Sequence, residues 1–348
     1  MRDDDRVSRD FVETVRIERF GCVQDARLEL TRLHALIGPN DSGKTTVLAA
    51  LRTACELIRL GEGQLEQTGR LDPRGVAGTK ISASWGPEVT CFHEEGAWQI
   101  ATANHPPPTT HHHLIRPFPG GIADPLRGAT LIRWDPDAIR RPCELIPEGL
   151  SLTVGERGEG LPAIYEAILS RDRPAFDEIE AGVRRHFPTV KAIWLPTTTD
   201  SKKSLGVILN DGTKVHASAM SEGLLYWLAF AVLPHVAPTA ILLIEEPENG
   251  LHPARITEVM TVLREVSSRM QIILATHSPL VINELQPEEV TILTRVPGAG
   301  TRATRMDRTT HFRQRQQVYA LGELWLSFAD GAAETALVPG GDPSASRG

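Results

Sequence analysis

The chain reads as short apolar runs separated by polar and glycine-rich joints, with strand and helix periodicities alternating along it. Val12–Ile17 and Ala26–Leu30 read as strands, with Arg19–Gln24 as the turn region between them, and Leu33–Ile37 forms a third. Val47–Leu60 carries apolar residues at helical spacing. A Gly- and Pro-rich stretch from Gly61 to Pro196 follows, in which Leu161–Leu169 and Ala175–His186 are the best helix candidates. Val207–Leu209 and Thr213–His216 flank Asn210-Asp-Gly212, whose tolerance of positive φ predicts a hairpin. A helix from about Glu222 to Val232, strand Ala240–Ile244, helix Pro253–Ser267 and strands Gln271–Ala275 and Val290–Thr294 complete the pattern. Strands alternating with helices predict an α/β fold on a doubly wound, mostly parallel sheet, with an antiparallel N-terminal β part and an inserted lobe. No heptad run or internal repeat interrupts this.

Composition alters the picture little. Apolar residues make up 41% and charged residues 23% of 348, ordinary for a soluble globular chain. The start, Met-Arg-Asp-Asp-Asp-Arg, lacks the basic-then-apolar pattern of a secretory signal. The long apolar stretch Gly223–Ile244 is split by Pro234, His235 and Pro238, so it reads as buried core, with no membrane partner expected. Cys22, Cys55, Cys91 and Cys143 form no CxxC pair, which argues against a zinc or disulfide framework and suits a reducing cytoplasm. The four histidines of His105–His113 read as an exposed loop, because no carboxylate or cysteine accompanies them at ligand spacing.

The chemistry concentrates in three places. Gly38-Pro39-Asn40-Asp41-Ser42-Gly43-Lys44-Thr45 fits G-x-x-x-x-G-K-[ST] between a strand and a helix, with Thr46 next. Its glycines let backbone N–H groups curl into an anion nest, and the helix adds its positive N-terminal end. Lys44 would reach β- and γ-phosphates, and the Thr45 hydroxyl would sit on Mg²⁺. The pattern predicts that the chain binds a nucleoside triphosphate, as expected of a P-loop NTPase fold. Next, the apolar Ile241–Ile244 ends in Glu245-Glu246-Pro247-Glu248-Asn249-Gly250-Leu251-His252-Pro253. Alternation sends two adjacent carboxylates in different directions, Glu245 toward a metal role and Glu246 toward a general-base role. Last, Ile272–Ala275 ends in Thr276-His277-Ser278-Pro279, where His277 could hydrogen-bond the γ-phosphate or the attacking water.

Together with Ser221-Glu-Gly223, these motifs resemble an ABC-type ATPase. More narrowly, they resemble the RecF/SMC-like and overcoming-lysogeny-defect (OLD) group of AAA-labelled ATPases. Val15-Arg-Ile-Glu-Arg-Phe20-Gly21 resembles that group's first strand and turn. The resemblance covers residues 12–60 and 205–295 well and the middle poorly. It implies that Ser221 and Gly223, at the start of a helix, contact the γ-phosphate held by an opposite subunit, so that two chains sandwich two ATP molecules with Mg²⁺. Ser221 also suits an ordinary helix cap. Three departures stand out. Glu245 replaces the usual aspartate. The family's Q-loop glutamine has only Gln64 and Gln67 as positional candidates. The signature has Glu222 and Leu224 where transporter ATPases have a glycine and a glutamine.

The expected organisation is an ATPase core at 10–60 and 205–295, an inserted lobe at 61–204, a C-terminal appendage at 296–335 and a disordered tail at 336–348. No nuclease domain is legible after the histidine strand, so a nuclease or other effector would be a separate partner. Arg295, Arg302, Arg305, Arg308, Arg313 and Arg315, with Asp307 the sole acid among them, form a basic segment that could meet DNA phosphates or line a solvated edge. Leu321–Phe328 would pack on the core or dock a partner. The sequence therefore points to an Mg-dependent ATPase in DNA repair or defence against foreign DNA. A transporter subunit and a non-catalytic ATP switch are the alternatives.

Overall fold

The computed structural model describes residues 11–61, 72–94, 97–102, 124–198, 202–296, 298–309 and 321–322. In chain order the elements are β1 (Thr14–Phe20), β2 (Val23–Glu29), β3 (Leu33–Ile37), α1 (Lys44–Gly61), β4 (Gly75–Ser84), β5 (Glu88–Glu94), β6 (Ala97–Thr102) and β7 (Ala129–Ile132). Then come α2 (Pro136–Ile139), α3 (Leu161–Arg171), α4 (Arg173–His186), β8 (Val190–Trp194), β9 (Gly206–Leu209), β10 (Lys214–His216) and α5 (Glu222–Ala231). The last are β11 (Ile241–Glu245), α6 (Pro253–Val266), β12 (Gln271–Thr276), α7 (Pro279–Asn283), β13 (Val290–Val296) and β14 (Gly300–Arg305).

The chain forms two compact units. Unit 1 comprises Met1–Thr130, Thr239–Glu246 and Met270–Gly348; unit 2 comprises Leu131–Pro238 and Pro247–Arg269. This division differs from the expected one. Much of the anticipated inserted lobe belongs to unit 1, because β4, β5 and β6 extend the N-terminal antiparallel sheet in the order β2-β1-β4-β5-β6. Conversely, α5 and α6 lie in unit 2 rather than in the core. Gln64, Gln67, His105–His113, most of Leu321–Phe328 and the tail from 336 lie outside the described residues.

Unit 1 is built on a six-stranded sheet ordered β14-β13-β3-β12-β11-β7. β11, β12, β3 and β13 run parallel, and β14 returns antiparallel along β13. Every residue of β3 and of β12 is buried, as parallel strands covered on both faces require. α1 packs on β11 and β12 and also on β1, β4 and β6 of the antiparallel sheet. That sandwiching explains its burial on several sides, with Val47, Leu48, Ala50, Leu51, Ala54, Leu57 and Ile58 all buried. Gln271, buried at the start of β12, donates to the carbonyls of Val12 (2.8 Å) and Thr31 (3.1 Å) and accepts from the Val12 N–H (3.1 Å). One amide thus ties the segment before β1 and the turn before β3 to the parallel sheet.

Unit 2 is mainly helical, with a small antiparallel sheet ordered β10-β9-β8. The β9–β10 hairpin turns at Gly212 with φ of 87°, as the Asn-Asp-Gly turn predicts. α5 is its buried axis: Leu224 to Ala231 are buried without a break. The Tyr165 hydroxyl of α3 donates to the Leu228 carbonyl (2.9 Å), and Trp134 meets Phe230 edge-on.

Candidate functional site

The parallel register sets the site. Ile37 of β3 pairs with Thr276 of β12, and Glu245 of β11 pairs with Ala275. Three neighbouring strands therefore end along one edge, and their ends carry the Gly38–Thr45 loop, His277 and the Glu245-Glu246 pair. All lie in unit 1.

The loop after β3 uses its glycines for space. A Cβ at Gly38 would run into the Leu293 carbonyl of β13, and one at Gly43 would stand 2.7 Å from Thr301 Oγ1. Gly43 takes φ of 102°, and Asp41 takes 65°, a left-handed conformation that aspartate tolerates better than most residues. α1 then starts at Lys44, whose ammonium donates to the carbonyls of Gly38 (2.7 Å) and Pro39 (2.9 Å). Thr45 is exposed, whereas Thr46 is buried and pairs with Cys22 Sγ at 3.4 Å. Ser42 Oγ is buried with no hydrogen-bond partner among the described residues. An orphan hydroxyl costs about 1–3 kcal/mol, which an incoming acceptor would relieve. Backbone drawn in where no Cβ fits, a helix N-terminus, a lysine and an unsatisfied hydroxyl together fit a nucleotide phosphate chain.

At the end of β11, Glu246 adopts φ of 47°, uncommon for a non-glycine residue and concentrated at functional positions. Its N–H donates to the Ala275 carbonyl at 2.8 Å, so the turn is held by β12. Its carboxylate lies 3.4 Å from His277 Nδ1, with both side chains accessible to solvent. Glu245 stays on the strand and is half-buried. Among the described residues, no three His, Cys, Asp or Glu side chains are grouped to cage a metal. Thr45 and Glu245 instead suit Mg²⁺, which takes few protein ligands and completes its shell with phosphate oxygens and water.

Ser221 and Gly223 lie in unit 2. Ser221 is the N-cap of α5, accepting from the Leu224 N–H at 3.4 Å, and its side chain is exposed. A Cβ at Gly223 would press on the Gly250 carbonyl at 3.2 Å, so the glycine admits the 247–252 loop against the helix. Ser221, Gly223, Gly250, His252, Ala254, Arg255 and Phe187 line an open groove of about 450 Å³. Arg255 is fixed there by Glu258 (3.1 Å), by the His186 carbonyl and by the face of Phe187. His186 faces Glu258 at 2.7 Å; burial holds its imidazole below the usual pKa although that carboxylate pulls the other way. Sequence reasoning missed this brace, since its parts are spread between residues 186 and 258 with no local pattern.

The arginine-rich segment is less available than its composition implied. Arg305 pairs with Glu29 (2.9 Å) and Asp307 (2.7 Å), and Arg308 grips both oxygens of Glu29 at 2.7 Å. The neutralising Glu29 comes from β2, invisible in the local sequence. Arg295 and Arg302 are exposed, and Arg313 and Arg315 lie outside the described residues.

These features suit the phosphates of a nucleotide, and known proteins offer a comparison. Residues 155–283 match the family described as "AAA domain, putative AbiEii toxin, Type IV TA system", and residues 12–55 match one described as "AAA domain". The first match begins well ahead of residue 205, where the motif resemblance starts. The chain is similar to a solved SMC head bound to the C-winged helix domain of ScpA, at 13% identity and a TM-score of 0.58, over 84% of this chain and 97% of that one. It is also similar to the SMC head domain from Thermotoga maritima, at 14% identity and a TM-score of 0.47, over 85% and 98%. The first of these likenesses carries the fold. Two stretches of the chain thus match AAA-domain families, and the whole folds like an SMC head. No described helix is long and apolar enough to cross a membrane.

Proposed function

We propose that this protein is an Mg-dependent ATPase that closes as an ATP-sandwiched homodimer and acts, through a partner protein, in DNA repair or defence against foreign DNA. The observation that carries the catalytic part is the Glu246–His277 pair, 3.4 Å apart on the strand-end edge that also bears the phosphate loop.

In this reading residues Gly38 to Thr46 hold the phosphates of ATP, with Lys44 at the β- and γ-phosphates. The Thr45 hydroxyl and Glu245 would hold Mg²⁺, which when bound offsets phosphate charge. Glu246 accepts a proton from the water that attacks the γ-phosphorus, yielding ADP and phosphate. His277 keeps the Glu246 carboxylate aimed and hydrogen-bonds the γ-phosphate or that water. Ser221 and Gly223 present the N-terminal end of α5 to the γ-phosphate held by a second copy. The exposure of Ser221 at the N-cap of a ten-residue helix, with Gly223 half-buried in its first turn, supports that role.

The defence role draws on the matched family's description, which names a type IV toxin–antitoxin system. Arg295 and Arg302 are the described members of the basic segment left to meet DNA. The four free cysteines fit a cytoplasmic site of action. The test is Glu246→Gln: ATP binding kept and phosphate release lost supports the assignment, and normal turnover removes it.

A further inference from the structure

We infer that Thr301 is a positioning residue for the phosphate loop, acting through the Ser42 peptide; the inference rests on the nucleotide site proposed above. Thr301 sits on β14, is fully buried, and donates from Oγ1 to the Ser42 carbonyl at 2.9 Å, across 259 positions of sequence. The same oxygen lies 3.8 Å from Cys22 Sγ, which faces Thr46 Oγ1 at 3.4 Å. A hydroxyl has one proton to give, and the shorter contact to the carbonyl takes it. Cys22 and Thr301 together form the wall behind Gly43: a Cβ there would meet Thr301 Oγ1 at 2.7 Å and Cys22 Sγ at 3.1 Å.

The consequence follows from peptide geometry. A trans peptide is planar, and its C=O and N–H point in opposite directions. Anchoring the Ser42 carbonyl on Thr301 therefore turns the Gly43 N–H away from β14, toward the hollow that the phosphate loop encloses. Gly43 has φ of 102° and no side chain, so nothing local to it would hold that orientation. The clamp spares the bound state the ordering cost of this peptide, so it acts on nucleotide affinity before it acts on chemistry.

The experiment measures the Kd of a non-hydrolysable ATP analogue with Mg²⁺, and kcat and KM for ATP, in the full chain carrying Thr301→Val, Thr301→Ser or Thr301→Cys. Thr301→Val keeps the shape and loses the donor. It should raise Kd and KM on the order of tenfold with kcat changed far less. Thr301→Ser should restore affinity to within about twofold of the parent, because the hydroxyl returns. Thr301→Cys differs from Thr301→Ser by one atom and, as a weak donor, should fall between the Ser and Val variants, which keeps the test alive if Thr301→Val does not fold. Parental affinity in the Val or Cys variant overturns the inference, as does a Ser variant as weak as Val, since that would mean packing alone. Lys44→Ala separates the two levels. If it loses nucleotide while Thr301→Val does not, only the positioning role falls; if Lys44→Ala binds normally, the site reading falls with it.

Discussion

The two units meet the demands of a phosphate-binding protein in opposite ways. In unit 1 the chemistry stands on unsatisfied or strained groups: an orphan Ser42 hydroxyl, and Asp41 and Glu246 in left-handed backbone. In unit 2 the groove beside α5 is braced: Ser221 caps its helix, His252 accepts from the Ala254 N–H, and Arg255 is held on three sides. A hollow with unmet hydrogen bonds is built to take a ligand by itself. A braced surface is built to present one wall to something already bound. That contrast is why ATP is assigned to unit 1 and the trans contact to unit 2.

The largest effect should come from Glu246→Gln, which keeps size and removes the proposed base. Hydrolysis is expected to fall about 10²- to 10⁴-fold with ATP binding retained, read by phosphate release and by titration calorimetry. Turnover unchanged from the parent would take the chemistry out of the strand-end cluster. Lys44→Ala should then raise the Kd for ATP about 10- to 100-fold, the worth of charge-assisted hydrogen bonds to phosphate. Gly250→Ala sharpens the other side. Gly250 has φ of 68°, and an added Cβ would enter the Tyr226 ring, so denaturant melting should show a loss of about 1–3 kcal/mol. The Kd for ATP should move less than in Lys44→Ala; an equal rise would erase the division of labour.

A further effect, read in stability rather than in nucleotide binding, is a pH dependence belonging to unit 1. His34 is fully buried on β3 between the hydroxyls of Thr31 (3.2 Å) and Thr291 (2.9 Å), and burial pushes its pKa down from 6.5 to about 3, with Arg305 adding to it. The unfolded chain therefore binds a proton below pH 6.5 that the folded chain refuses. Its stabilising contribution is complete above that pH and is lost as pH falls toward about 3. The slope approaches about 1.4 kcal/mol per pH unit. Chemical melts at pH 7 and 5 should show it in the parent and lack most of it in His34→Leu.

The strands that place the site were legible because each is a short, largely apolar run of strand length. Leu33–Ile37, Gln271–Ala275 and Ile241–Ile244 suit parallel strands covered on both faces, and their polar ends carried the motifs. β4 to β6 were not legible as a group. Their buried residues include the small Ala83 and Cys91 and the polar Thr79 and Ser82, while Val76 is exposed, so the contrast is shallow. The Val89–Thr90–Cys91 alternation was the signal available. Thr301, Glu29 and the Arg255 brace depend on long-range packing, for which a single sequence holds no local sign. The two compact units were not legible for the same reason: the chain leaves unit 1 and returns to it twice, and periodicity does not report returns.

The most direct test is the solution mass of Glu246→Gln with and without Mg-ATP. The account predicts a monomer that becomes a dimer only with ATP, and a Ser221→Arg change that abolishes the shift by blocking the α5 N-terminus. A mass indifferent to ATP, under conditions where calorimetry shows ATP bound, would contradict it and leave unit 2 without a role at the phosphate.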